Sequence, residues 1–320
     1  MASQLQTASI AAPGFYGLNT QESSITLSSG FALKAQNCVI DKYGRIGARR
    51  GWTALNTTVN TDLGAANPVE FLFEVVTGGG TEVLSAGNNK LFVGTTTMTT
   101  KTVRNADNSG NATYTITANN WQGAALSYGD VSDFQPHVYL AQASHPMLVW
   151  HELPTSGGAF DAHDSGTYGF QRVGDDAKLP SNHSTSTFMP SWVLSAYGRI
   201  WCGGITGDTQ TVYFSDLLAG TDFLNGSAGY LNLQEVLPNG DPVVAAAAHN
   251  GYIIFFGRRN TAIYANPLDT ASLQLVEVIA NVGCIARDSV QSIGTDVLFL
   301  SDAGVRSLQR VIQEKSLSMR

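Results

Sequence analysis

The sequence predicts an all-β protein: a β-propeller-like fold with irregular blades, protruding loops and a short N-terminal helical segment. Three observations predict it. Only 13% of the 320 residues are charged and 43% are hydrophobic, against about 25% charged in an average domain, and Thr, Ser, Asn and Gly fill the difference. Helical periodicity is scarce, and most of the chain reads as short apolar strands between turn residues. A unit also recurs, in which a turn carrying Gly, Asn or Asp leads into a short apolar strand. Its turn positions Asn89, His137, Gly198, Gly251 and Asp296 lie 48, 61, 53 and 45 residues apart, a spacing that fits one four-stranded blade per repeat. A β-sandwich of short strands is the other architecture this pattern allows.

The elements follow in order. Residues 1–56 read as an N-terminal arm ending in a basic hairpin. Within them Ser28 to Ile40 is the best helix candidate, with Ser29 as N-cap and Phe31, Leu33, Ala35 and Cys38 partly in step. The next stretch, "DKYGRIGARRGW", packs Lys42, Arg45, Arg49 and Arg50 into a chain of formal charge −7. It reads as strand, turn, strand. Asp41 to Gly44 supply the turn, Ile46 and Trp52 the apolar anchors, and Arg45, Arg49 and Arg50 fork-shaped donors suited to carboxylates on the propeller or on a neighbouring copy. Residues 57–320 read as the propeller, with insertions at about 95–120 and 151–190. Its repeats are Ser85 to Thr95, Ser132 to His151, Ser195 to Asp216, Ala247 to Asn266 and Ser292 to Gln309. In "YIIFFG", Tyr252 to Gly257, both strand faces are apolar, as a blade sandwiched between two others requires.

The residues exclude more chemistry than they suggest. The acidic balance argues against a protein that grips nucleic acid over its whole surface. No apolar run is long enough to span a membrane, and the N-terminus carries no signal-peptide pattern. Cys38, Cys202 and Cys284 are odd in number and far apart, which points to reduced, buried thiols rather than a disulfide framework. His145 and His151 share a strand face beside Glu152 without a third converging metal ligand. Asp161, His163 and Asp164 lack the alternate spacing of a calcium loop. "GRIGARRG" has the wrong spacing for a phosphate loop, and "SDAGVRSL" falls short of the Asp-box of propeller glycosidases. Asp208, Asp216, Asp222 and Asp241 are the loop acids from which a glycosidase pair could come. The expectation is a non-enzyme with no catalytic residue, metal or cofactor; a glycan-binding or glycan-cleaving propeller, or a monomeric propeller scaffold, are the alternatives.

The stretch Ala12 to Asn56 resembles the N-terminal signature of the tail nozzle proteins of short-tailed phages, also called tail tubular protein B. Asn37, Asp41, Gly44, Arg49 or Arg50, Gly51 and Trp52 occupy the positions of that signature. Val212 to Phe223 and Asn281 to Leu308 are similar to later propeller strands of the same proteins and of packaged-DNA stabilisation proteins. Family members are usually longer, with further domains after the propeller. The resemblance implies a virion structural protein, made in the host cytoplasm, that forms the distal tube of the tail. It implies a ring of six copies, an adaptor ring above, a fibre or spike attached, and duplex DNA passing through the lumen without sequence-specific binding. Asn37, Asp41, Arg45, Arg49, Arg50 and Trp52 are then expected to serve interfaces or local structure.

Overall fold

The computed structural model describes residues 17–19, 21–23, 25–28, 30–34, 36–40, 46–51, 60–64, 67–77, 80–105, 116, 120–128, 135–152, 168–174 and 177–318. The chain divides into two compact units, Met1–Leu55 and Asn56–Arg320. In the first, β1 (Gly17–Leu18) pairs in parallel with β2 (Phe31–Ala32), and β3 (Cys38–Ile40) pairs antiparallel with β4 (Ile46–Ala48). The expected helix over 28–40 does not form; strands β2 and β3 occupy its two ends. Gly30 and Asn37 take positive φ values of 101° and 53°, which no right-handed helix accommodates. Val39 and Ile40 are β-branched and favour the extended backbone they adopt.

The second unit is built from sheets laid down in chain order. The first runs β5 (Phe71–Thr77), β6 (Gly80–Gly87), β7 (Lys90–Val93), β8 (Thr99–Lys101). After β9 (Val103–Arg104), the second runs β10 (Gln122–Tyr128), β11 (Gln135–Ala141), β12 (Leu148–Glu152), β13 (Tyr168–Arg172), with β9 added in parallel at its outer edge. The third is β14 (Trp192–Ala196), β15 (Arg199–Ile205), β16 (Asp208–Phe214), β17 (Gly229–Asn232). The fourth is β18 (Val243–His249), β19 (Tyr252–Gly257), β20 (Thr261–Ala265), β21 (Gln274–Ile279). A three-stranded sheet, β22 (Gln291–Ser292), β23 (Val297–Ser301), β24 (Gly304–Ser307), comes last and leads into helix α1 (Leu308–Ser318).

Alternation along the strands decides how these sheets stack. In the second sheet Val138, Leu140, Leu148 and Trp150 pack with Leu84 and Leu91 of the first. The residues between them, Tyr139 and Val149, point the other way and pack with Ile200, Cys202 and Tyr213 of the third. Trp201, Val212 and Phe214 then meet Ile253, Phe255 and Ala262 of the fourth. Ile254, Phe256 and Ile263 meet Val297 and Phe299 of the fifth. The second, third and fourth sheets therefore each carry two apolar faces with period 2, and each fully buried large side chain contributes about 1.5–3 kcal/mol. The first strands of successive sheets touch one another, β5 with β10, β10 with β14 and β14 with β18. Four-stranded meanders, stacked face to face with their first strands innermost, are propeller blades.

Turn chemistry accounts for the hairpins. Asn88 and Asn89 (φ 47° and 57°), Tyr197 and Gly198 (57° and 70°), and Asn250 and Gly251 (48° and 81°) each place two consecutive residues at positive φ, as type I′ hairpin turns demand. Two expected turn positions need correction. His137 lies inside β11 and is buried; Pro136 reads as a turn signal but sits near a strand start, where proline is tolerated. Asn89 joins the second and third strands of its sheet, whereas Gly198 and Gly251 join first and second, so the first interval links non-equivalent turns. Helix α1 has no counterpart in the sequence reading. Ser307 caps it by accepting from the Arg310 N–H (3.2 Å), and Leu308 and Val311 pack on the fifth sheet.

Candidate functional site

Three of the six expected interface residues fall in the described part of the first unit; Asp41, Arg45 and Trp52 lie outside it. Asn37 turns the chain into β3 through its left-handed backbone, and its carbonyl accepts from the Arg49 N–H at 2.9 Å. The motif thus closes a hairpin end with backbone groups. Arg49 and Arg50 follow β4 directly and are exposed.

The loop acids are mostly structural. Asp241 is buried and accepts from the backbone N–H groups of Arg258 (2.8 Å), Arg259 (3.1 Å) and Asn260 (2.9 Å), and from Asn260 Nδ2 (2.9 Å). Beside this nest a Cβ on Gly283 would stand 2.4 Å from the Arg258 carbonyl carbon, so only glycine fits. Asp216 accepts from Ser227 N–H (2.9 Å), Ser227 Oγ (2.7 Å) and Leu217 N–H (2.8 Å). Burial raises its pKa, but these bonds and the Arg199 charge outweigh that and hold it below the usual carboxylate range. Asp222 accepts from the N–H groups of Leu224 (3.0 Å) and Asn225 (2.9 Å). Asp296 accepts from the Val297 and Gln309 N–H groups and from Ser307 Oγ.

His145 and His151, which lack a third metal ligand in the sequence, are both buried, His151 near the end of β12. His145 lies against Trp121 with ring centroids 5.2 Å apart, and His151 stacks on His137 at 5.4 Å while bonding Gln171 at 2.7 Å. Among the described residues no cluster of three potential ligands could hold a metal. Asp161, His163 and Asp164 lie outside those residues. The three cysteines are free thiols; Cys202 and Cys284 are buried, and burial pushes the Cys202 thiol well up.

A polar concavity belongs to the third blade. A cleft of about 670 Å³ opens between Asn182, Asp208, Tyr213, Leu224, Tyr230 and Asn232. The Tyr213 hydroxyl donates to Asp208 Oδ2 at 2.5 Å, receives Asn182 Nδ2 at 3.1 Å, and lies 2.9 Å from His183 Nε2. Burial, then the Asp208 hydrogen bond, hold the Tyr213 phenol above its usual range, so it stays protonated. Burial lowers the His183 pKa against the pull of Asp208. Of the suggested glycosidase acids Asp208 lines this cleft and Asp241 lines another, of about 510 Å³, beside Arg258 and Arg259; sequence reasoning missed the partners of Asp208.

Sequence reading also missed the arginines that hold the blades. Arg199 is buried and donates to Ser215 O (2.8 Å) and Ser227 Oγ (2.8 Å). Arg287 donates to Ser191 O (2.6 Å) and Asn120 O (2.7 Å), 96 and 167 residues away in the chain.

No family model and no curated protein matches the sequence. Among solved structures the chain is similar to BBS1N in complex with ARL6DN, at 9% identity and TM-score 0.40, covering 77% of this chain and 66% of that one. It is similar to the Neurospora crassa Pan2 WD40 domain at 12% identity and TM-score 0.36, covering 75% and 61%. A third likeness, to the extracellular domain of a one-component system from B. thetaiotaomicron, has 12% identity and TM-score 0.32, covering 74% and 32%. The chain thus spans less than two thirds of the length of each of these three chains. The propeller assignment rests on the chain's own sheets. No helix among the described residues is long and apolar enough to cross a membrane.

Proposed function

We propose that the protein is a virion structural component, the distal tail tube of a short-tailed phage, assembled as a ring of six copies. One observation carries the reading: the two end sheets of the blade row each present an outward apolar face. On the first sheet Leu72, Glu74 and Val76 share a face by parity, and Leu72 and Val76 are each 70% exposed. On the last sheet Val305, 73% exposed, borders a groove lined by Leu298, Arg306, Arg310 and Val311. Large apolar side chains left exposed on a sheet face favour association. The acid on one face and the arginines beside the other are complementary, so the first blade of one copy suits the last blade of the next, a head-to-tail contact that closes into a ring.

In this reading the nozzle is a conduit for DNA ejection. It meets an adaptor ring, carries a fibre or spike, and lets duplex DNA pass without reading it. It is not an enzyme. Mass measurement in solution with negative-stain imaging tests the ring. A ring with a central hole, dispersed by Leu72→Glu or Val305→Glu, is expected. A monomer at tens of micromolar would overturn the proposal.

A further inference from the structure

We propose that the third-blade cleft binds a neutral pyranose unit of an oligosaccharide, a property separate from ring formation. The wall of the cleft is Tyr230 on β17, which leaves 66% of its surface exposed beside Tyr213, ring centroids 6.2 Å apart. A large aromatic face left open over a polar concavity matches the apolar C–H face of a sugar ring. The polar groups around it have capacity to spare. Among the described residues no hydrogen bond reaches Asp208 Oδ1 or Asn182 Oδ1, while their partner atoms are fixed by Tyr213. Asn232, which lines the cleft, accepts from the Gln234 N–H through Oδ1 at 2.8 Å, and among the described residues no hydrogen bond uses its amide nitrogen, which remains a donor. Two acceptors and one donor, locked in place before a ligand arrives, suit vicinal hydroxyls. The protonated Tyr213 phenol keeps Asp208 oriented, so little ordering cost remains on binding.

The lining selects against charged ligands. Among the described residues no Lys or Arg lines the cleft, and burial lowers the pKa of the neighbouring His183, so a phosphate or an acidic sugar would meet Asp208 with little to offset the repulsion. A cation is a poorer fit than a sugar, because only one aromatic ring is open and a cage needs several around the charge.

Saturation-transfer NMR on the purified full chain tests this, with cellotetraose, maltotetraose, mannotetraose and a chitosan tetramer at millimolar concentration. At least one neutral tetramer is expected to receive saturation. Tyr230→Ala should weaken it about tenfold or more and Tyr230→Phe should restore most of it, since the stacking face is what matters. Asn232→Ala, on an exposed edge, should weaken it with the fold intact by circular dichroism. Three results would overturn the inference: no transfer to any neutral tetramer, transfer unchanged in Tyr230→Ala, or transfer to the chitosan tetramer alone. Ring formation is read separately by mass, so failure of either proposal leaves the other standing or falling on its own data.

Discussion

Arg287→Ala should loosen three blades at once. Arg287 sits in a short 3-10 turn before β22 and donates to the carbonyls of Ser191, just before β14, and Asn120, just before β10. It also pairs with Asp288 at 2.8 Å, and Asp288 in turn receives Asn120 Nδ2 at 2.7 Å. The Arg287 side chain is 12% exposed and that of Asp288 48%. A hydrogen bond from a charged donor contributes roughly 1.5–3 kcal/mol. With Asn120 exposed, the lower end applies to its bond, and the half-exposed ion pair adds about 0–1 kcal/mol. The loss expected for Arg287→Ala is therefore about 3–5 kcal/mol, or a drop in Tm of roughly 6–20 °C in a unit of this size. Urea unfolding followed by tryptophan fluorescence measures it. Asp288→Ala is the control: it leaves both carbonyl bonds, removes the ion pair and the bond from Asn120 Nδ2, and should cost no more than about 2 kcal/mol. Equal losses for the two variants, or a melting point unchanged in Arg287→Ala, would refute the assignment of the stability to the carbonyl bonds.

Asp241→Ala should cost about 2–4 kcal/mol by orphaning the N–H groups of the Arg258–Asn260 turn, and Asp241→Asn somewhat less, both read by urea unfolding. Burial holds the His145 imidazole down to about pH 4 against an ordinary 6.5. The unfolded chain therefore takes up this proton first, and stability should be full above about pH 6.5, falling by up to about 3 kcal/mol toward pH 4. A His145→Gln variant with the same pH slope would show that another group is responsible. In the ring proposal the double variant Arg49→Ala, Arg50→Ala should shift the mass distribution toward smaller species through lost carboxylate contacts with a neighbouring copy; an unchanged distribution would mark these arginines as solvated. The formal charge of −7 leads us to expect only weak, salt-sensitive duplex binding near 0.15 M salt, and sub-micromolar affinity in an anisotropy titration would contradict a lumen that lets DNA slide.

Strands were legible because the faces they bury follow period 2 over short windows. In β19, Ile253 and Phe255 belong to one interface and Ile254 and Phe256 to the next, and a run of apolar residues with no polar side already says that both faces are covered. The two helix errors share a cause. Phe31, Leu33 and Ala35 step by two, which is strand spacing, whereas Leu308, Val311 and Ile312 step by three and four with Ser307 as a cap. The helical pattern was present at the end of the chain and absent where the helix was expected. The cleft was not legible, since its groups come from 182, 208, 213, 230 and 232 and meet only when the third blade closes on the loop before β14. Arg287 was invisible for the same reason: its partners are backbone carbonyls, and a carbonyl leaves no signature in a sequence.

The acids and arginines together explain how an irregular propeller keeps its blades in register without disulfides. Asp241 precedes β18 and grips the β19–β20 turn; Asp296 precedes β23 and grips the start of α1; Arg199 and Asp216 tie β15 to the loop before β17. Each contact joins a charged side chain to backbone groups of a turn, the groups that strand ladders leave unpaired. Such staples act within a blade or between neighbours, and they leave the outer faces of the first and last sheets untouched. Those faces can be covered in two ways, by closing on each other within one chain or by meeting another copy. The alternatives differ in a measurable way. Closure within one chain would protect the β5 and β24 amides at every protein concentration, whereas a ring protects them only above its dissociation constant. Hydrogen exchange across a dilution series therefore separates the two, and concentration-independent protection would remove the ground on which the ring stands.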